Sequence, residues 1–183
     1  MFASIAKWWK LFINGGVIVA PITRGDKAVT RAVCIGLNRV DPSCIAYRGW
    51  SGDLAGCETD ASRFSALWRG HDIETATLLT REATIEAVGV ALRAACTGMG
   101  VGSRLIVTVS CHGGDEMNRQ SILLYNGKLK DSTINSWLKV IPAGIDVLWV
   151  CDTCNAAGMY RSPKPVKFTR RAIRGIHCGL ILI

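Results

Sequence analysis

No stretch of this chain stays apolar for the roughly 18 residues that a membrane-spanning helix needs, so a membrane span is not expected. The most apolar N-terminal piece, Leu11 to Ile22, is interrupted by Asn14, Gly15 and Gly16. Asn-Gly-Gly between two apolar runs predicts a hairpin turn, because those residues tolerate positive φ. The rival reading is a signal peptide, since Lys7 and Lys10 precede the apolar part. Internal repeats and low-complexity tracts are also lacking. With 183 residues, 49% hydrophobic and 20% charged, the chain suits one domain with its own core.

Acid is missing from one segment in particular. Residues 161–174 hold Arg161, Lys164, Lys167, Arg170, Arg171 and Arg174, with no Asp or Glu. The whole chain carries a net charge of +8, so the rest of it is nearly neutral. Aromatics are lacking there too apart from Phe168, and without a stacking platform no nucleic-acid partner is expected. Pro163 and Pro165 disfavour regular structure and predict an exposed loop. The eight cysteines do not read as a disulfide framework, since Cys34 and Cys151 sit inside apolar strand patterns. Buried free thiols act as small hydrophobes, which predicts a reducing compartment such as the cytoplasm.

What is present alternates. Residues 31–38, 72–80, 103–110, 146–152 and 178–183 read as short apolar strands. Residues 55–70, 84–98 and 132–141 read as helices. The first carries Phe64, Leu67 and Trp68 as its apolar stripe, and the second has Thr84 as N-cap and Gly98 as stop signal. Residues 121–130 predict an Asn-Gly hairpin, and Pro142 ends the last helix. Such alternation predicts an α/β fold, a mostly parallel sheet with helices on both faces. The chain stops on a strand-like Gly-Leu-Ile-Leu-Ile, as if the last strand or strands were lacking.

Catalytic groups in parallel sheets gather at the carboxyl ends of the strands. Two ends stand out: Ser110-Cys111-His112-Gly113-Gly114 and Asp152-Thr153-Cys154. If their strands are neighbours, about 4.8 Å apart, the His112 imidazole and the Cys154 thiol face one crevice. An adjacent imidazole shifts a thiol toward the reactive thiolate and can then protonate a leaving amine. Gly113 lets its backbone N–H approach a substrate carbonyl, and with the Cys154 N–H this forms a candidate oxyanion hole. His71 and His177 have no comparable setting.

At these residues the chain resembles the caspase-like cysteine peptidases, closest to the metacaspases and orthocaspases. Ser110-Cys111-His112-Gly113 is similar to the family's Ser-Gly-His-Gly, and Asp152-Thr153-Cys154 to its Asp-Ser-Cys. Ile35-Gly36-Leu37-Asn38 and Gly56-Cys57-Glu58-Thr59-Asp60-Ala61 match its first strand and helix start. The resemblance covers residues 31–183, leaving 1–30 as an N-terminal extension. It implies a caspase-like fold and an endopeptidase with Cys154 as nucleophile and His112 as acid/base. Asp60 and Asp152 would line an acidic pocket for Arg or Lys before the scissile bond, since unpaired buried carboxylates are costly. Its substrates would be proteins or peptides, and self-processing would fall in the basic loop.

Departures are present. Asn155-Ala156-Ala157 replaces His-Ser-Gly, and Cys111 replaces a glycine. Of acids near the site only Asp115, Glu116 and Asp131 are available, so Ca2+ is a poorly supported candidate and no cofactor is assigned. Two other readings stay open: a catalytically inactive caspase-like scaffold for protein assembly, and a zinc module using Cys111, His112, Cys151 and Cys154. Against zinc, strand alternation sends Cys151 to the side opposite Asp152.

Overall fold

The apolar run around Val33 has no polar alternation because both of its faces are covered. A computed structural model describes residues 22–116 and 119–153. Their elements, in chain order, are β1 (Thr30–Gly36), α1 (Cys57–Gly70), β2 (Glu74–Leu79), α2 (Ile85–Cys96), β3 (Arg104–Ser110), β4 (Gly113–Glu116), β5 (Arg119–Leu124), β6 (Gly127–Lys130), α3 (Asp131–Lys139) and β7 (Asp146–Asp152). Four strands form a parallel sheet in the order β2-β1-β3-β7, and β4-β5-β6 form a small antiparallel sheet.

One face of the parallel sheet presents Val33, Val107 and Trp149, packed with Val88 and Leu92 of α2 and Ile134 of α3. The opposite face belongs to α1. Ser65 on α1 hydrogen-bonds Thr77 between hydroxyls at 2.8 Å, and Thr77 pairs with Cys34 of β1. The architecture is therefore α/β with helices on both faces, as the strand–helix alternation predicts. It is consistent with a caspase-like arrangement.

The elements follow local chemistry closely. Thr84 Oγ1 accepts from Ala87 N–H at 3.1 Å, so it caps α2 as expected, and Gly98 beyond the helix has φ of 75°. The β5–β6 pairing of Leu124 with Gly127 leaves Tyr125-Asn126 as a two-residue turn. The Asn126 side chain accepts from Ile85 N–H and donates to Glu86, tying the hairpin to the start of α2. Residues 22–29 run beside the turn after α2, with Gly98 N–H donating to Thr23 O and Gly25 N–H to Met99 O.

Two expectations need correction. Only part of the expected stripe of α1 faces the sheet: Ala61 and Ser65 are buried and Phe64 and Trp68 half-buried, while Leu67 is 48% exposed. Gly36 explains this, because a Cβ there would lie 2.3 Å from the Cys57 carbonyl oxygen and 2.7 Å from Ala61 Cβ. The helix rests so close to the sheet that only small side chains fit beneath it. Second, residues 113–116, which the sequence pattern assigns to no element, form β4, whose partners come from β5 rather than from any apolar pattern of its own. The expected turn at 14–16, the basic loop 161–174, the strand 178–183 and Cys154 lie outside the described residues. Among the described residues no helix is long and apolar enough to cross a membrane.

Candidate functional site

The carboxyl edge of the sheet brings the sequence-predicted positions together in a row. Gly36 pairs with Ser110, and Ser110 pairs with Asp152, so three strand ends stand in register. The contact continues one step further, with Cys111 N–H donating to Asp152 O at 3.4 Å. β3 and β7 are thus direct neighbours up to the residues that precede His112 and Thr153. The condition placed on those two strands by the sequence is met, although Cys154 itself is not among the described residues.

Alternation sorts the side chains of this edge. Cys151 is buried on the α2 face and Asp152 is exposed, so the two point to opposite sides, as expected. Asp152 shares the α1 face with Ser110. Asp60 lies in the first turn of α1, next to Ala61, which packs over Gly36 at the other end of the row. The row spans two strand spacings, about 10 Å, so Asp60 and Asp152 flank one edge of the sheet. The ion pairs among the described residues are Arg31–Glu74 and Arg104–Asp146, and neither Asp60 nor Asp152 takes part in one.

His112 is held from an unexpected direction. Its Nε2 lies 3.0 Å from the carbonyl oxygen of Gly52, in the long connection between β1 and α1. A carbonyl only accepts, so Nε2 carries the proton and Nδ1 is left with its lone pair in the neutral ring. The carbonyl is itself fixed, because Val40 N–H donates to Ser51 O at 2.8 Å and Leu54 N–H to Asn38 O at 2.6 Å. Tyr47 anchors the same connection to the β5–β6 hairpin through its hydroxyl, which donates to Gly127 O at 2.7 Å. Burial pushes the Tyr47 phenol well up, so it stays a donor. Sequence reading did not single out Gly52 or Trp50. The available signal was the Gly49-Trp50-Ser51-Gly52 turn in a connection too long to be idle.

The Gly113 N–H is not taken up by the ladder with β5. Leu123 N–H donates to His112 O at 3.0 Å, which makes 112 and 123 a hydrogen-bonded pair. The next pair, Gly113 with Ile122, is then the non-bonded kind, and the Gly113 N–H turns away from β5.

The neighbouring thiols behave differently from a nucleophile. Cys111 is buried, and desolvation, with Cys151, Cys57 and Asp152 nearby, pushes its thiol well above 9.0. Its Sγ donates to His112 O at 3.3 Å. Burial raises Cys151 as well, and Cys151 lies 3.4 Å from the Thr153 hydroxyl. Both are core thiols. Cys111 and His112 also diverge, one into the core and one toward Gly52, which works against a shared zinc. Among the described residues no group of three or more His, Cys, Asp or Glu side chains could hold a metal ion. For the calcium candidates, Asp115 and Glu116 belong to β4 and Asp131 opens α3.

A second constellation went unseen in the sequence. Thr80, at the end of β2, has φ of 30°, a strained value for a β-branched residue. Its hydroxyl accepts from Asn38 N–H at 3.1 Å and donates to the Glu58 carboxylate. Asn38 in turn accepts from Glu58 N–H at 3.2 Å. This network locks the start of α1 to the ends of β1 and β2, and so fixes the platform that carries Asp60.

No family model matches this chain, and no curated protein matches it either. Among solved structures it is similar to the crystal structure of protein GSU0716 from Geobacter sulfurreducens, a structural genomics target. The match has a TM-score of 0.63 and 32% identity over 68% of this chain. This chain spans 50% of that protein's length.

Proposed function

We propose that the chain is a cysteine endopeptidase of the caspase-like, metacaspase-related kind, cutting proteins or peptides after Arg or Lys. The observation that carries this reading is the in-register pairing of β3 with β7, which ends two strands side by side just before His112 and just before Thr153-Cys154. In the proposed reaction the Cys154 thiol gives its proton to Nδ1 of His112, and the thiolate attacks the scissile carbonyl carbon. The oxyanion accepts from the N–H groups of Gly113 and Cys154. The peptide C–N bond then breaks as His112 protonates the leaving amine, leaving a thioester on Cys154. Water, deprotonated by His112, hydrolyses that thioester and restores the thiol.

Selectivity for a basic side chain is supported by Asp60 and Asp152, two carboxylates flanking one sheet edge without an ion-pair partner among the described residues. Cys34, Cys44, Cys57, Cys96 and Cys111 are free thiols, which supports a reducing compartment, and the cytoplasm fits that chemistry.

The test is a fluorogenic peptide series with Arg, Lys, Asp or Ala before the scissile bond, assayed with and without calcium. Cleavage after Arg and Lys, abolished in Cys154→Ala and lowered by orders of magnitude in His112→Ala, is expected. Turnover that survives intact in Cys154→Ala overturns the assignment.

A further inference from the structure

His112 meets more than the Gly52 carbonyl. The indole of Trp50 lies against the imidazole, with ring centroids 4.9 Å apart and planes tilted by 53°. The same indole covers Gly52: a Cβ added there would fall 2.5–2.8 Å from three of the indole ring atoms. Gly52 also has φ of 57°, so both the backbone and the overlying ring demand glycine. Trp50 therefore touches both residues of the Nε2–H···O=C hydrogen bond.

The indole has little other structural work. It is 44% exposed, and its remaining ring neighbour is Tyr47 at 6.4 Å. A half-exposed tryptophan kept against an imidazole is poorly explained by core burial alone. Its effect on the histidine is direct. The N–H···O bond is only part-buried and so open to competing water, and an imidazole that rotates by half a turn about Cβ–Cγ puts carbons where Nδ1 and Nε2 had stood. An aromatic plate over the ring and its acceptor opposes both.

We propose that Trp50 is a positioning residue for His112, holding the imidazole in the one orientation in which Nδ1 is the nitrogen that takes and gives the proton. This rests on the reading of His112 as the acid/base group. Trp50 transfers no proton and acts through the ring it covers. Removing it leaves the Gly52 carbonyl in place but allows the ring to turn away from it.

Two measurements test this on the full chain. The first is long-range 15N–1H correlation of the imidazoles, with His112 assigned by its loss in His112→Gln. The parent protein is expected to show the Nε2–H tautomer at His112, Trp50→Ala a mixture of tautomers, and Trp50→Phe the parent pattern. This readout needs no catalysis, so it decides the positioning role even if no peptide is cleaved. The second is steady-state kinetics on the Arg peptide. Trp50→Ala is expected to lower kcat by about 10- to 100-fold with KM little changed, the scale of a misplaced catalytic group. Trp50→Phe is expected to recover most of that loss. An unchanged tautomer in Trp50→Ala overturns the proposal. So does a loss confined to KM, which marks Trp50 as a substrate contact instead.

Discussion

Ser110 and Asp152 stand opposite one another at the ends of β3 and β7, on the face covered by α1. Asp60 lies in the first turn of α1, next to Ala61, which packs over Gly36 at the far end of the same row.

Neutralising either acid should injure recognition more than chemistry. Asp152→Asn and Asp60→Asn are each expected to lower kcat/KM for an Arg peptide by about 1.5–3 kcal/mol, the worth of a hydrogen bond to a charged group, or about 10- to 100-fold. The loss should appear in KM and shrink when the peptide carries Gln in place of Arg. Equal losses on both peptides mean that the carboxylates do not read the cation.

Self-processing follows from the same selectivity. Residues 161–174 place six cations and no acid a few residues beyond Cys154. Active protein is expected to cut itself after Lys167, Arg170 or Arg171, and Cys154→Ala to stay whole. Fragment masses read this directly. An intact chain, under conditions where a small Arg peptide is turned over, ends the idea.

Alkali should weaken the fold through its buried thiols. Burial raises Cys111 well above its ordinary value of 9.0 and lifts Cys96 to about 11. Above pH 9 the unfolded chain releases these protons while the native state keeps them. The unfolded state then binds fewer protons, and stability falls as pH rises. Their contribution is intact below pH 9 and is lost toward and through the raised native values. Urea unfolding under reductant, from pH 7 to 10.5, should show this slope, and Cys111→Ala and Cys96→Ala should each flatten it. Stability independent of pH up to 10.5 contradicts the assignment.

Thr80 offers a test of strain against hydrogen bonding. Both Thr80→Ala and Thr80→Gly lose the hydroxyl shared by Asn38 and Glu58. Only glycine relieves the positive φ, at a residue where strain amounts to about 1–3 kcal/mol. Both variants should be less stable than the parent, with Thr80→Gly above Thr80→Ala. The reverse order of urea midpoints means the backbone there is not under strain.

Much of the scaffold was legible in the chain itself. Short β-rich apolar runs, Thr84 before an apolar periodic segment and Asn126-Gly127 between two runs are local signals. The elements they predict match the structure within a few residues. The motif residues His112, Asp60 and Asp152 were legible for a related reason: each lies at an element's end, and parallel topology gathers such ends at one edge.

Three features were decided only in the tertiary structure. The contact line of α1 was only partly legible, because its bulky residues Phe64 and Trp68 flank that line and Leu67 lies off it. The closeness forced by Gly36 selects the small residues Ala61 and Ser65 instead. β4 has no apolar alternation and exists because β5 offers it a ladder. The hold on His112 comes from Trp50 and Gly52, some sixty residues earlier in the chain. Periodicity and capping report on neighbours within a turn or two of the chain. The orientation of an imidazole depends on which carbonyl and which ring the fold brings to it through space, and no local pattern encodes that.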